Sequence, residues 1–123
     1  MVPLFINRAV NGQNLTLFSK GERKQIFTFV EDIAVASEKL FKIKKFLVEL
    51  VGPQIISMKF LAKKVLEIFR KNKKQKIIFL NKNEKNIDKN FNFNKENKMN
   101  FKKNNLHQGL IKIKKYSKNS NAK

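Results

Sequence analysis

The apolar residues at the start of the chain follow first a helical and then an extended spacing. After Pro3, which suits the first turn of a helix, apolar side chains recur every three or four positions as far as Val10, and Gly12 ends the run. The stretch LTLF at 15–18 is apolar and β-branched, as strands are. The pattern therefore predicts a short helix followed by a strand.

A second change of spacing lies at the acid pair Glu31-Asp32. Gly21 marks a polar turn, and IFTFV at 26–30 has the composition of another strand. From Ile33 on, apolar residues recur at helical spacing. Because Asp is a preferred N-cap and acids favour the positive end of a helix dipole, we predict that Asp32 caps a helix that begins here.

The middle of the chain contains the clearest amphipathic pattern. The apolar patch FLVELV at 46–51 is predicted as a strand that ends at Gly52-Pro53, and Ser57 opens the next helix. One face of that helix is apolar and the opposite face is rich in lysine, which predicts a buried helix stripe. The stripe comprises Met58, Leu61, Val65 and Ile68.

The remaining elements complete an α/β chain. QKIIFL at 75–80 is predicted as a buried strand, and the Asn/Lys-rich tract at 81–105 has too few apolar residues for a firm core. A last helix is predicted over 106–118. The predicted organisation is a lobe at 1–80, a loop or disordered tract, and a C-terminal helix, in a mixed α/β order.

The charge of the chain is high and unevenly placed. Residues 1–69 hold 11 Lys/Arg and 6 acids, whereas residues 70–123 hold 17 and 3, and the formal net charge is +19. Such a basic tail suits a small nucleic-acid-binding protein, which is the alternative function. The excess is almost all Lys mixed with Asn, Ile and Phe, the composition that an AT-biased genome produces, and Arg occurs only three times. Nucleic-acid binding beyond non-specific charge is therefore not expected.

Several kinds of site are excluded or disfavoured by composition. The sequence has no Cys and one His, His107, so we expect no metal site. Its four glycines are too dispersed for a phosphate-binding loop, and its one tyrosine, Tyr116, has no Lys four residues later. No stretch approaches the roughly 20 apolar residues of a membrane helix, and no secretion signal is evident. A cytoplasmic protein without membrane contact is expected.

A gapless run at 5–36, FINRAVNGQNLTLFSKGERKQIFTFVEDIAVA, resembles a known family. It is similar to the stretch that opens the substrate-binding part of extended short-chain dehydrogenases/reductases, the NAD-dependent epimerase/dehydratase family that acts on nucleotide sugars. The matching positions are Ala9, Gly12, Leu15, Thr16, Leu17, Phe18, Gly21, Phe27, Thr28, Val30, Asp32, Ile33 and Ala36. The resemblance continues more weakly at Gly52, Ser57, Leu61, Ala62, Phe101, Leu106, Gly109, Leu110 and Tyr116.

This resemblance implies a fold and a function. The fold would be the C-terminal substrate-binding lobe of such an enzyme, without most of the Rossmann domain, and the sequence lacks the family's cofactor loop and catalytic Tyr-x-x-x-Lys. We therefore expect a truncated product or separately encoded segment that contributes nucleotide-sugar binding, has no catalytic or cofactor-binding residue, and binds no cofactor alone, NAD(P) being the cofactor of the family. Whether it is an enzyme stays open.

The resemblance also suggests substrate-binding residues. Thr16 and Phe18 would lie beside the nucleotide base, with an ordinary two-faced strand as the alternative. Arg23 and Gln25 would face the diphosphate, with a solvated loop as the alternative; the family's usual arginine is replaced by Gln25, so Arg23 would have to supply the charge.

The implied partners are a nucleotide sugar and the missing Rossmann part or a homologous full-length enzyme. Without that sheet, FLVELV is expected to be exposed, and the stripe at Met58–Phe69 to lack its partner.

Overall fold

The elements of the chain alternate between short strands and longer helices in a computed structural model that describes residues 1–43, 48–81 and 101–121. The observed order confirms the predicted α/β class. No helix in these ranges is long and apolar enough to cross a membrane. The elements are α1 (Val2–Val10), β1 (Leu15–Phe18), β2 (Lys24–Ile26), α2 (Val30–Leu40), β3 (Ile55–Ser57), α3 (Met58–Phe69), β4 (Ile77–Leu80) and α4 (Leu106–Asn121).

Helix α3 forms the centre of the core. Its predicted apolar stripe is confirmed, because Met58, Leu61, Val65 and Ile68 are all buried. Helices α1 and α4 pack against it, and the expectation that the stripe lacks a partner is wrong for this reason. Burying each of these side chains contributes about 2 kcal/mol before the entropy cost of ordering the chain.

The start of α3 is fixed by the loop that connects β1 to β2. Ser57 is the predicted N-cap, and its hydroxyl accepts the backbone N–H of Phe60 at 3.1 Å. The N–H groups of Met58 and Lys59 donate to the carbonyls of Arg23 and Gly21 at 2.9 and 3.0 Å. The first turn of α3 thus holds the β1–β2 loop in place.

The four strands form two separate pairs. β1 and β4 are parallel, with Leu15 opposite Ile77 and Phe18 opposite Leu80, while β2 and β3 are antiparallel. The prediction that β4 is a buried strand is wrong, because Phe79 and Leu80 are 45% and 38% exposed. The reason is topological, because in the described residues β4 pairs with β1 alone.

The strand predicted to end at Gly52 is displaced in the structure. Strand β3 follows Gly52 instead, and it pairs with β2. The expected exposure of FLVELV is contradicted for Val48–Val51, which is half-buried or buried, while residues 44–47 lie outside the described ranges. Gly52 explains the difference, because it lies directly against the backbone of Phe27 and so draws this segment onto the lobe.

Helix α2 begins earlier than predicted. Strand β2 ends at Ile26, the N-cap is Phe29, and the helix starts at Val30, so the prediction of Asp32 as the N-cap is wrong. Both acids lie in the first turn, where they face the positive end of the helix dipole as expected. The local pattern located the helix but not its first residue.

Helix α4 closes the core from the C-terminal side. It extends to Asn121, three residues beyond the predicted end, and Leu110 is fully buried against the core. Residues 82–100, most of the predicted Asn/Lys-rich tract, lie outside the described ranges. The proposed division of the chain at 80 and 105 therefore stays a prediction.

Candidate functional site

The predicted base-contact residues Thr16 and Phe18 lie on one face of β1. Side chains alternate along a strand, and the intervening residues Leu15 and Leu17 point into the core with at most 4% exposure. Phe18 is 44% exposed. The register places Ile78 and Leu80 of β4 beside Thr16 and Phe18. We call these four residues the open face of the β1–β4 pair.

Arg8 reaches this open face from α1. Its Nη1 donates to the hydroxyl oxygen of Thr16 at 2.6 Å, a short, charge-assisted hydrogen bond. Arg8 and Thr16 are both half-buried. Sequence reasoning did not include Arg8 in the site, because the contact depends on how α1 packs beside β1 and no spacing rule connects positions 8 and 16.

The loop after β1 is held in an unusual backbone conformation. Ser19 and Gly21 have positive φ values of 51° and 68°, and a side chain at Gly21 would meet Leu17. The N–H of Ser19 donates to the carbonyl of Leu80 at 2.8 Å, and that of Gly21 to the carbonyl of Phe18 at 3.0 Å. The edge of the open face is therefore defined by backbone hydrogen bonds.

The predicted diphosphate residues Arg23 and Gln25 occupy a different place. Arg23 is exposed in the β1–β2 loop, and Gln25 is half-buried in β2, opposite Ile56. Strands β1 and β2 belong to separate sheets, so the two pairs of candidate residues do not lie on one sheet face. The β1–β2 loop connects the strand that carries Thr16 and Phe18 to the strand that carries Gln25.

The acid pair connects α2 to the C-terminal part of the chain. Asp32 is 2% exposed, and its carboxylate accepts the backbone N–H of Asn104 at 3.0 and 3.2 Å and the side-chain amide of Asn104 at 2.7 Å. The carboxylate of Glu31 accepts from Lys112 Nζ at 3.2 Å and from the hydroxyl of Tyr116 at 3.1 Å. Both acids are structural groups that hold α4 onto α2.

The hydroxyl of Tyr116 reports on this contact. Its hydrogen bond to Glu31, together with the negative charge of that carboxylate, raises the pKa of Tyr116 above the ordinary value of about 10. A raised pKa in the folded state means that the contact is present at neutral pH and is lost as the pH rises through that pKa.

We expect the tyrosinate absorbance of the folded protein to appear at a higher pH than that of the urea-unfolded protein. Tyr116 is the only tyrosine, so the ultraviolet titration reads this group alone. Glu31→Gln should return the midpoint toward the ordinary value, because the carboxylate is removed, whereas Glu67→Gln on α3 should not. Equal midpoints for wild type and Glu31→Gln would contradict the Tyr116–Glu31 contact.

An apolar cavity of about 280 Å³ lies between the start of α1, the β2–α2 turn and the start of α4. Its walls include Val2, Phe27, Phe29, Pro53, Leu106 and Ile113. None of the predicted substrate-binding residues lines it. Its polar lining residues are Thr28, Gln54, Asn104 and Asn105, and Asn104 is the residue that contacts Asp32.

The described part of the chain holds no group of three or more His, Cys, Asp or Glu that could bind a metal ion. His107 is exposed at the start of α4. The glycines do not form a dinucleotide cradle either, since Gly21, Gly52 and Gly109 lie against Leu17, Phe27 and Phe29. The described residues therefore include no glycine-rich cradle of the kind that holds NAD(P).

Comparison with known proteins gives a result at the level of the fold. No known family model and no curated protein matches the sequence. The solved structures that are similar to this chain include three that align with 94–98% of it. One is Pal from Bacillus thuringiensis, with 18% identity and a TM-score of 0.60 over 39% of its length.

Two further similar structures are those of sugar-nucleotide enzymes. A dTDP-glucose 4,6-dehydratase from Bacillus anthracis str. Ames, in complex with NAD, has 16% identity and a TM-score of 0.65. A UDP-glucose 4-epimerase with UDP-glucose from Thermotoga maritima has 14% identity and a TM-score of 0.56. This chain spans 40% of the length of each. Its fold is thus similar to that of one part of each of these two enzymes.

Proposed function

We propose that this chain is the nucleotide-sugar-binding part of an NAD(P)-dependent epimerase or dehydratase, and that catalysis and NAD(P) binding belong to a nucleotide-binding part that the chain does not contain. The observation that carries the proposal is the agreement of a sequence resemblance with a similarity of fold. The motif residues at 5–36 resemble the substrate-binding stretch of this family, and the fold aligns with sugar-nucleotide enzymes over 94–98% of the chain. The proposed nucleotide-contact residues are Thr16, Phe18, Arg23 and Gln25.

The open face supports this assignment chemically. Phe18 offers an exposed aromatic ring beside the hydroxyl of Thr16, and a nucleotide base can stack on such a ring. The next loop carries Arg23, whose guanidinium is suited to phosphate. In a nucleotide diphosphate, the base would stack on the open face and the phosphates would lie near the cationic loop.

We expect the protein to bind UDP-glucose or dTDP-glucose, and Phe18→Ala to weaken that binding by about 10-fold, because base stacking on an aromatic ring contributes about 1–3 kcal/mol. Isothermal titration calorimetry measures both affinities. Phe79→Ala is the matched control, since Phe79 has nearly the same exposure but lies off the open face. No binding of either nucleotide sugar at millimolar concentration would contradict the proposed function.

The proposed partner is the nucleotide-binding part of such an enzyme, docked on an apolar stripe of α2. Val30, Ile33 and Leu40 fall on one side of this helix and Phe41 is its C-cap residue. The exposed fractions of these four side chains run from 46% to 94%. A second copy of this chain is disfavoured as the occupant, because two chains of net charge +19 repel each other. This chain covers 40% of each matched enzyme, so the remaining 60% of their length lies beyond the part that it covers.

Phe41→Ser is expected to prevent this docking. We would co-express the chain with the part of the Bacillus anthracis dehydratase that it does not cover, and measure the complex by size-exclusion chromatography. Because Phe41 is 94% exposed, its replacement removes apolar contact area without affecting the core. Leu4→Ser, at an exposed position of α1, is the control. A complex that forms equally well with Phe41→Ser would exclude this docking surface.

A further inference from the structure

Arg8 brings a guanidinium from α1 to the open face, where it contacts Thr16, two residues before Phe18. On α1 it stands next to the fully buried Ala9 and one turn after the buried Phe5, so its stem lies at the border of the core. From there the head group reaches Thr16 at 2.6 Å. A half-buried arginine whose guanidinium is oriented by a short hydrogen bond is suited to binding anions, because that group is already ordered before the anion binds.

The spacing between this cation and the aromatic ring fits a nucleotide. Thr16 and Phe18 are two residues apart on one face of β1, which separates their Cα atoms by about 7 Å. A ligand whose ring stacks on Phe18 can therefore place a negatively charged group within reach of Arg8. Thr16 Oγ1 accepts one of the five N–H groups of the guanidinium.

The chemistry of the neighbouring candidates favours Arg8 for this role. Gln25 carries no charge, and Arg23 is exposed in the loop after Gly21. A half-buried guanidinium interacts with an anion more strongly than an exposed one, because solvent screens it less.

We propose that Arg8 holds the phosphate of the bound nucleotide and that Thr16 positions Arg8, rather than contacting the base itself. This inference rests on the proposed function, since it concerns the same ligand. It adds a residue from α1 to the site and changes the role of Thr16 from a ligand contact to an orienting group.

The test compares UDP with uridine, which lacks the phosphates. Isothermal titration calorimetry with Arg8→Gln should show UDP binding weakened about 10- to 100-fold, the range of a charge-assisted hydrogen bond, with uridine binding unchanged. Arg8→Lys should give an intermediate loss, because lysine keeps the charge but not the planar fork. Lys71→Gln, which removes one charge at an exposed position, should leave both affinities unchanged.

The positioning role of Thr16 has its own readout. Thr16→Val should weaken UDP binding several-fold in the wild-type background and have no effect in the Arg8→Gln background, since residues that act through one another are not additive. Circular dichroism establishes that each variant is folded, and Arg8→Lys replaces Arg8→Gln if the latter does not fold.

The outcomes separate this inference from the proposed function. If the wild type binds UDP and Arg8→Gln binds it equally well, Arg8 has no role in the site and the proposed function stands. If Arg8→Gln weakens uridine and UDP by the same factor, its effect is structural and the inference is overturned. If the wild type binds neither UDP nor dTDP, nor their sugars, the proposed function fails and the inference fails with it.

Discussion

Gly52→Ala is expected to destabilise the protein by more than about 3 kcal/mol, which is a large part of the total stability of a domain of this size. A Cβ atom added at Gly52 would overlap the carbonyl oxygen of Phe27 and lie 2.9 Å from its carbonyl carbon. Ile26 Cγ2 is also within 3.0 Å. The obstacle is mainly backbone, so no change of rotamer relieves it, and the segment leading into β3 must move away from the β2–α2 turn.

Urea unfolding followed by circular dichroism measures the effect, and Gly109→Ala is the matched control. At Gly109 the nearest atom is 3.2 Å away and belongs to the ring of Phe29, a side chain that can adjust. Because Gly109 lies in α4, alanine also gains up to about 1 kcal/mol of helix propensity. We expect Gly109→Ala to stay within about 1 kcal/mol of the wild type. A Gly52→Ala variant as stable as Gly109→Ala would show that the segment at 51–53 is not packed on Phe27.

The position of Gly52 also explains what the sequence pattern could and could not predict. The apolar stripe of α3 follows a 3.6-residue period, and the start of this helix at Ser57 depends on local residues as well. Both predictions are confirmed. The strand at FLVELV was predicted from its apolar composition alone. Apolar composition does not distinguish a strand from a segment that is buried by a single close backbone contact, such as that of Gly52 with Phe27.

The candidate site was likewise only partly predictable from the sequence. The alternation of LTLF places Thr16 and Phe18 on one face whatever the rest of the fold does, and the structure has this arrangement. The contact between Arg8 and Thr16 depends on the packing of α1 beside β1, so no local pattern contains it. The resemblance to a family identified the strand but not the arginine next to it.

The exposure of the β1–β4 pair was not predictable from β4 itself. Ile77–Leu80 is a continuous apolar run, which is typical of a parallel strand covered on both faces. In the described residues it pairs only with β1, and Phe79 and Leu80 remain partly exposed. Lys59 lies over the ring of Phe79 with its ammonium 5.7 Å from the ring centroid, which shields part of this surface by a cation–π contact.

Asp32→Ala is the second change for which we expect a large effect, a loss of about 3 kcal/mol. The carboxylate is 2% exposed and accepts three hydrogen bonds from the backbone and side-chain N–H groups of Asn104. Its removal leaves both donors without this acceptor, and an unsatisfied buried donor costs about 1–3 kcal/mol. Asp32→Asn keeps the side-chain volume and one acceptor oxygen, so the loss of stability should be smaller than for Asp32→Ala.

Glu31→Gln is the control for charge, because it removes the neighbouring acid of the same turn. Its ion pair with Lys112 is 38–43% exposed, and exposed pairs contribute at most about 1 kcal/mol. Urea unfolding gives the global free energies, and amide hydrogen exchange at Asn104 reports the local contact. If Asp32→Ala and Glu31→Gln are equally mild, the buried acid does not hold the start of α4. A large loss of stability for Asp32→Ala alone, with fast amide exchange at Asn104, would show that Asp32 holds the start of α4. It would do so through its contact with Asn104, 72 residues away in the sequence.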